Sequence, residues 1–214
     1  MLSLDLYVVT ERKLTGGRSL LEVVEESLAG GATVVQLREK DISTREFVKL
    51  AFRVKEVARR HGAAFIINDR VDVALAVGAD GVHLGQDDMP LELARRMMGE
   101  QAVIGVSVSS VQEAKAAADG GADYLGVSAI YSTSTKTDAP VIGLDGLSEI
   151  RKAVRLPLVA IGGIHLGNAA GVIKSGADGI AVVSAIMAAA DPRRAAETLL
   201  EEVKRARASM GRGA

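Results

Sequence analysis

The sequence contains no cysteine among its 214 residues, which excludes disulfide bonds, catalytic thiolates and metal centres with cysteine ligands. No apolar run approaches the about 20 residues that a membrane span needs. The net charge is −1, and there is no basic run with interleaved aromatic residues, which argues against a general nucleic-acid-binding protein. The first five residues lack the pattern of a signal peptide. We therefore expect a soluble, cytoplasmic protein without nucleic-acid or membrane partners, and self-association stays open.

Apolar residues make up 48% of the chain and charged residues 25%, which suits one soluble domain with a substantial core. We expect that domain to cover residues 1–208 and residues 209–214 to form a frayed tail. Short apolar runs rich in Val, Ile and Leu alternate with amphipathic stretches, as in a parallel sheet covered by helices on both faces. The predicted strands lie near residues 4–10, 33–38, 64–68, 80–85, 103–107, 123–128, 157–162 and 179–183.

The amphipathic stretches carry recognisable helix signals. Residues 44–60 place Phe47, Leu50, Ala51, Val54 and Val57 on one stripe. Ser43 and Glu46 match a capping box at the start of this helix. Asp191 followed by Pro192 predicts the start of the last helix, because proline is favoured at the first helical position.

A tripeptide repeat predicts how many strand–helix units the chain has. Gly-Ala-Asp or Gly-Ala-Thr begins at Gly31, Gly78, Gly121 and Gly176, each time just before an even-numbered predicted strand. A glycine there suits a left-handed residue that ends a helix. Four copies, each marking two units, predict a single (β/α)₈ TIM barrel with a phosphate site after strands 7 and 8. The alternative is an open doubly wound sheet, because Gly-Ala-Asp is also a common turn between a helix and a strand.

Two aspartates follow neighbouring predicted strands, Asp69 after strand 3 and Asp88 after strand 4. In a barrel, the carboxyl ends of adjacent strands lie side by side on the face where active sites form. Oxygen ligands without histidine or cysteine suit Mg²⁺, which takes a few carboxylates together with water and substrate phosphates. Each aspartate alone could instead be a helix N-cap. As a pair they favour a Mg²⁺ site, with Asp87 as a weaker candidate.

Cationic and hydroxyl side chains follow other predicted strands. Gln36, Arg38 and Lys40 alternate after strand 2, so in an extended segment they share one face, where a ligand anion could pair with them. The alternative is a solvated salt bridge to Glu39 or Asp41. Three further segments could hold an anion at the same end of the barrel, the last two through backbone N–H groups. They are Thr133-Ser134-Thr135-Lys136, Gly162-Gly163-Ile164 and Val183-Ser184-Ala185.

The three histidines suggest no catalytic triad. His61 ends a predicted helix, His83 lies inside strand 4 and suits a packed side chain, and an essential role for His165 is not expected. The chemistry therefore needs no protein nucleophile and no strong general base that the sequence reveals.

The chain resembles the thiamine-phosphate synthase family over nearly its whole length, through seven motifs in the family's order. These motifs are Gln36-Leu37-Arg38-Glu39-Lys40, Asn68-Asp69-Arg70-Val71-Asp72, Gly81-Val82-His83-Leu84-Gly85-Gln86-Asp87-Asp88, Gly105-Val106-Ser107, Thr133-Ser134-Thr135-Lys136, Gly162-Gly163-Ile164 and Ala181-Val182-Val183-Ser184.

The resemblance implies an enzyme of thiamine biosynthesis with two small-molecule substrates. One is the diphosphate ester of 4-amino-5-hydroxymethyl-2-methylpyrimidine. The other is 4-methyl-5-(2-phosphoethyl)thiazole or its carboxylated form. The family reaction is a dissociative substitution in which pyrophosphate leaves and the thiazole nitrogen bonds to the pyrimidine methylene carbon. Positive charge at the leaving group and alignment of the partners would then be the tasks of the protein.

The resemblance also implies roles for individual residues. Mg²⁺ would be held by Asp69 and Asp88, and the catalytic group would be Arg38, Lys40, Ser107 and Lys136. The implied substrate-binding residues are Gln36, Leu37, Arg38, Glu39, Lys40, Asn68, Ser107, Thr133, Ser134, Thr135, Lys136, Gly163, Val183 and Ser184. Ser134 departs from the family, since many members carry proline there, which bears on the rigidity of that loop.

Three other functions compete with the synthase. A thiazole tautomerase shares the barrel but needs neither Mg²⁺ carboxylates nor a pyrophosphate cradle. A non-catalytic barrel that binds a phosphate metabolite need not keep metal ligands. A sugar-phosphate isomerase or epimerase needs an acid–base pair across the sugar, and none is evident in the sequence. The joint presence of Asp69, Asp88, Arg38 and Lys136 favours the synthase over the tautomerase and over the non-catalytic barrel.

Overall fold

A computed structural model describes residues 2–132 and 140–211 of the chain. Within these ranges eight parallel strands close into a barrel, because each strand pairs with the next in sequence and β8 pairs with β1. The predicted (β/α)₈ barrel is confirmed, and the open doubly wound sheet is excluded. The strands are β1 (Leu6–Val9), β2 (Val34–Leu37), β3 (Ala64–Asn68), β4 (Gly81–Leu84), β5 (Val103–Val108), β6 (Tyr124–Val127), β7 (Leu158–Ile161) and β8 (Gly179–Val182).

Helices connect the strands and cover the outside of the barrel. In residues 2–132 and 140–211 they are α1 (Leu20–Ala29), α2 (Thr44–Arg60), α3 (Val71–Val77), α4 (Leu91–Met98), α5 (Val111–Asp119), α6 (Gly143–Ala153), α7 (Ala169–Lys174), α8 (Ser184–Met187) and α9 (Pro192–Met210). None of these helices is long and apolar enough to cross a membrane.

The predicted helix signals are present. Ser43 and Glu46 form a reciprocal capping box at the start of α2, in which each side chain accepts from the other residue's backbone N–H. Asp191 caps α9 by accepting from the backbone N–H of Arg194 at 2.8 Å. Helix α9 continues to Met210, so Ser209 and Met210 are helical rather than part of the tail expected from the sequence. Residues 212–214 of that tail lie outside the described ranges.

The Gly-Ala-Asp repeat fastens neighbouring strands together in pairs. All four repeat glycines have positive φ angles, from 60° at Gly78 to 108° at Gly176, as their predicted left-handed conformation requires. The third residue of each repeat then accepts a backbone N–H from the first or second residue of the preceding strand. The four bonds are Leu6 N to Thr33 Oγ1 (3.3 Å), Phe65 N to Asp80 Oδ2 (2.7 Å), Ile104 N to Asp123 Oδ2 (2.7 Å) and Leu158 N to Asp178 Oδ2 (2.8 Å).

The core has two layers, because side chains alternate between the two faces of every strand. The larger layer fills the space between the strands and the helices and includes Leu37 from β2. The smaller layer fills the barrel interior and contains two tyrosines, Tyr7 from β1 and Tyr124 from β6, both almost fully buried. The interior therefore has polar atoms deep inside it, directly below the carboxyl ends of the strands.

Candidate active site

A cavity of about 530 Å³ opens at the carboxyl ends of the strands, and all eight strands contribute residues to its walls. This is the face on which the sequence analysis placed the candidate residues, and it is where active sites of this fold form. Eight of the candidate substrate-binding residues and both candidate metal ligands line it. They are Gln36, Arg38, Lys40, Asn68, Ser107, Gly163, Val183, Ser184, Asp69 and Asp88.

The segment that leaves β2 separates into two faces. Gln36, Arg38 and Lys40 line the cavity, as their alternation predicts. Leu37 is fully buried in the outer core layer instead. The carboxylate of Glu39 accepts two hydrogen bonds from Arg12, at 2.9 and 3.3 Å, and its side chain is 5% exposed. The side chains of Leu37 and Glu39 therefore lie outside the cavity lining, and their substrate-binding role stays a prediction.

Carboxylates accompany the cations of this segment. Arg38 donates to Glu11 Oε2 at 2.9 Å, and Glu11 itself lines the cavity just after β1. Lys40 donates to the carboxylate of Asp69. The alternative partners considered from the sequence are engaged elsewhere, since Asp41 accepts from Lys13 at 2.8 Å. Arg38 and Lys40 therefore face the cavity as members of ion pairs that a diphosphate could replace or join.

Asp69 and Asp88 come together at the mouth of the cavity. The carboxyl group of Asp88 lies close enough to Asp69 to act on its pKa. Burial raises the pKa of Asp69, the hydrogen bond from Lys40 opposes this rise, and the neighbouring Asp88 carboxylate adds to it. Two carboxylates this close bind a cation more readily than either does alone. Among the described residues, no group of three or more potential metal-ligating side chains occurs.

Neither carboxylate caps the helix that follows it, so the N-cap interpretation is wrong. The N-cap of α3 is Arg70 and that of α4 is Pro90. Asp88 accepts instead from the backbone N–H of Gly85 at 2.6 Å. Asp69 has a φ angle of 61°, the one positive value at a non-glycine residue in the described ranges. A left-handed aspartate carries a conformational cost, and such costs cluster at functional sites.

A buried hydrogen-bonded network lies on the floor of the cavity, and we call it the tyrosine–histidine network. It runs from Gln36 through Tyr7, Tyr124 and His83 to Ser107. The distances are 2.9 Å from Gln36 Nε2 to Tyr7 Oη, 2.8 Å between the two phenolic oxygens, 2.9 Å from Tyr124 Oη to His83 Nδ1, and 2.8 Å from His83 Nε2 to Ser107 Oγ. Burial raises the pKa of both tyrosines, so both phenols are protonated.

Two strand glycines make room for this network. A Cβ atom on Gly105 would lie 2.1 Å from Tyr124 Cζ, and one on Gly126 would lie 2.8 Å from His83 Cε1. The sequence analysis missed the network, because it did not single out Tyr7 or Tyr124 and because it interpreted His83 as a packed side chain. The available signal was the inward parity of these strand positions, together with one glycine beside the Tyr124 ring and another beside the His83 ring.

Glycines also shape the rim beside β7 and β8. Gly162 and Gly163 have positive φ angles of 109° and 62°. A Cβ atom on Gly163 would lie 2.7 Å from the carbonyl oxygen of Ser132, so only glycine fits there without a shift. Val183 and Ser184 line the cavity where β8 passes into α8. The remaining predicted anion-binding segment, Thr133-Ser134-Thr135-Lys136, lies outside the described residues.

Comparisons with known proteins agree with one another. Residues 6–186 match the family model described as thiamine monophosphate synthase. A thiamine-phosphate synthase of Moorella thermoacetica is 54% identical, with 95% of this chain and 97% of that protein covered. One from Chloroflexus aurantiacus is 56% identical, with 91% and 90% covered. The solved thiamine phosphate pyrophosphorylase from Pyrococcus furiosus superposes with a TM-score of 0.89 at 47% identity, covering 96% of this chain and 98% of that one.

Proposed function

The chain belongs to the thiamine monophosphate synthase family, and we propose that the cavity joins the two halves of thiamine phosphate with the residues described above. The substrates are the diphosphate ester of 4-amino-5-hydroxymethyl-2-methylpyrimidine and a 4-methyl-5-(2-phosphoethyl)thiazole. The bond between the methylene carbon and the diphosphate oxygen breaks, and the oxygen keeps the electron pair. The thiazole nitrogen then donates its lone pair to the methylene carbon.

One observation carries this assignment of the site: the Asp69–Asp88 pair adjoins the cations of β2 at a single cavity mouth. The donor set fits Mg²⁺, because both side chains offer hard oxygen atoms and their mutual repulsion is relieved by a divalent cation. A site with only two carboxylates leaves coordination positions for water and for substrate phosphate oxygens. When bound, Mg²⁺ would supply positive charge to the departing diphosphate.

Arg38 and Lys40 would stabilise the same leaving group, next to the carboxylate pair. Each points into the cavity and is held there by a carboxylate, Glu11 for Arg38 and Asp69 for Lys40. A prepositioned cation needs no reorganisation when negative charge develops on the diphosphate, which is the main source of electrostatic stabilisation in enzymes. Arginine also offers a planar fork that matches phosphate oxygens. Lys136, outside the described residues, remains a sequence prediction for this role.

The pyrimidine and the thiazole would bind to different parts of the cavity. Gln36, Asn68 and Ser107 surround the floor of the cavity and would hold the pyrimidine. Gly163, Val183 and Ser184 would bind the thiazole phosphate, because all three line the cavity beside β7 and β8 and a glycine lets a phosphate approach the backbone closely. The predicted Thr133, Ser134 and Thr135 would join them. No protein nucleophile is required, since the attacking nitrogen belongs to the substrate.

The test is to mix both substrates with Mg²⁺ and to measure thiamine phosphate and free pyrophosphate. We expect both products in equal amounts, and we expect Asp88→Ala to abolish Mg²⁺-dependent turnover while the far-UV circular dichroism stays unchanged. Asp119→Ala, which removes an exposed carboxylate at the end of α5, is the matched control. Full activity of Asp88→Ala would remove the metal assignment. Isomerisation of the thiazole without coupling would identify a tautomerase instead.

A further inference from the structure

The tyrosine–histidine network has a direction that follows from the orientation of the Gln36 amide together with a count of the protons. The amide nitrogen of Gln36 donates to the Tyr7 oxygen at 2.9 Å. Each phenol carries a single proton, because burial raises both tyrosine pKa values. The proton of Tyr7 therefore points to the oxygen of Tyr124, 2.8 Å away. With the opposite direction, Tyr7 would accept from both neighbours, and its own buried proton would have no acceptor among the described residues.

The same direction continues to the far end of the network. Because Tyr124 accepts from Tyr7, its own proton points to Nδ1 of His83 at 2.9 Å. In a neutral imidazole the proton then resides on Nε2. That N–H donates to Ser107 Oγ at 2.8 Å. The hydroxyl group of Ser107 can therefore donate its proton to a ligand in the cavity. At the other end of the network, the amide oxygen of Gln36 can accept a hydrogen bond from that ligand.

We propose that Tyr7, Tyr124 and His83 are positioning residues that present Gln36 as a hydrogen-bond acceptor and Ser107 as a donor, and that they thereby select an aminopyrimidine over an oxopyrimidine. The inference rests on the proposed function, since it concerns the pyrimidine half of that reaction. The three residues act through Gln36 and Ser107, which line the cavity from β2 and β5, three strands apart in the barrel.

The two kinds of ring differ in the polarity of their edges. A 4-aminopyrimidine offers an amino group as donor and unprotonated ring nitrogens as acceptors, which matches the acceptor of Gln36 and the donor of Ser107. A 4-oxopyrimidine offers a carbonyl oxygen beside a ring N–H, the reverse pattern. A free glutamine could accommodate it by turning its amide over. Here the network opposes that turn, because the amide could turn only if Tyr7 and Tyr124 both redirected their protons and the proton of His83 moved from Nε2 to Nδ1.

The tautomer of His83 is the most direct test. The chain has three histidines, so their imidazole nitrogens can be resolved by ¹⁵N NMR with selective labelling. We expect His83 to be neutral, with the proton on Nε2 in the wild-type protein. A proton on Nδ1, or protonation of both nitrogens at neutral pH, would overturn the proposed direction. This measurement requires no substrate and no variant, so it holds even where a substitution disturbs folding.

Binding of two ring analogues tests the consequence. Dissociation constants are measured by calorimetry, with Mg²⁺, for the monophosphate esters of the 4-amino and 4-oxo 5-hydroxymethyl-2-methylpyrimidines, which carry a poor leaving group. We expect the wild type to prefer the amino compound by about tenfold or more, the scale of one or two matched hydrogen bonds. Tyr7→Phe and Tyr124→Phe should reduce this ratio several-fold. Tyr131→Phe removes the third phenol, which is not among the described cavity-lining residues, and should keep the ratio.

The outcomes separate the two proposals. If the wild type couples the thiamine halves but both network variants keep the wild-type ratio, the inference fails and the proposed function stands. Equal weakening of both analogues would indicate a structural role only and would also overturn it. If the wild type neither couples the substrates nor prefers the amino compound, the proposed function and the inference fail together.

Discussion

A single added methyl group at Gly126 should disable the site without touching a charged residue. An ideal Cβ atom there would lie 2.8 Å from Cε1 and 3.2 Å from Nε2 of His83. The first distance is shorter than any ordinary carbon contact, so the ring of His83 must move. The ring is held by hydrogen bonds to Ser107 at 2.8 Å and to Tyr124 at 2.9 Å, so such a shift would lengthen or break at least one of them.

The expected magnitude follows from those two bonds. Overpacking a buried site costs about 1–3 kcal/mol of stability. Misplacing a positioned group by a fraction of an ångström to one ångström costs about 10- to 100-fold in rate. We therefore expect Gly126→Ala to fold, to melt several degrees below the wild type, and to lose about 10- to 100-fold in kcat/KM for the pyrimidine diphosphate. The KM for the thiazole phosphate should change little.

Coupled release of pyrophosphate measures the rate, and thermal unfolding measures the stability. The matched control is Gly171→Ala in α7, where the added Cβ atom meets nothing closer than Leu144 Cδ1 at 3.9 Å. That variant should keep wild-type kinetics and gain about 0.5–1 kcal/mol, since alanine is favoured over glycine within a helix. A Gly126→Ala enzyme with unchanged kinetics would refute the reasoning, because His83 could then move without consequence for the cavity.

Three further changes test other parts of the molecule. Asp80→Ala leaves the backbone N–H of Phe65 without the acceptor it has at 2.7 Å, so urea unfolding should show a loss of about 1–3 kcal/mol. Lys40→Met removes a cation from the cavity and should lower kcat about 100-fold in the coupling assay, the usual effect of losing one preorganised contact. Hydrogen bonds from the Ser43 side chain and backbone lower the pKa of Glu46. Its folded pKa is thus below its unfolded value, so the stability advantage of the wild type over Glu46→Gln should be full above about pH 4.5 and should vanish as the pH falls further.

Each of these changes has a control and a contradicting result. Asp119→Ala removes an exposed carboxylate, and equal losses for it and Asp80→Ala would show that the strand bond contributes nothing. Lys13→Met removes a cation whose partner is the exposed Asp41, and a rate loss matching that of Lys40→Met would point to net charge rather than position. A pH-independent difference for Glu46→Gln would mean that the carboxylate charge does not strengthen the capping box.

Local patterns predicted the barrel because each of its units is local. Apolar runs marked the strands, and the glycine of each repeat marked a left-handed helix end that the structure confirms. The alternation of Gln36, Arg38 and Lys40 placed three side chains on one wall, since the period of a strand is two. The same rule turns the side chains of Leu37 and Glu39 away from that wall, so their substrate-binding role rests on the resemblance alone and stays a prediction.

The tyrosine–histidine network could not be predicted from local sequence patterns. Tyr7 and Tyr124 are 117 residues apart, and only the closed barrel brings their oxygens together. A tyrosine within an apolar strand has the same sequence signature whether its hydroxyl is bonded or not. His83 likewise reads as a packed residue until Tyr124 and Ser107 are known to lie on either side of it. Long-range register across several strands decides such contacts, and a single sequence does not carry it.

The bonds made by the third residue of each repeat have a consequence for how the molecule assembles. They join residues only 15 to 27 positions apart, so each strand pair can form with a small entropic penalty for closing the intervening loop. The seam between β1 and β8 is different, because it unites opposite ends of the polypeptide. Asp5 is engaged there twice, by the backbone N–H of Ile180 and by the guanidinium of Arg207 from the final helix. The entropic cost of ring closure is therefore concentrated at this one seam, and shortening α9 before Arg207 should weaken the seam before it weakens the other strand pairs.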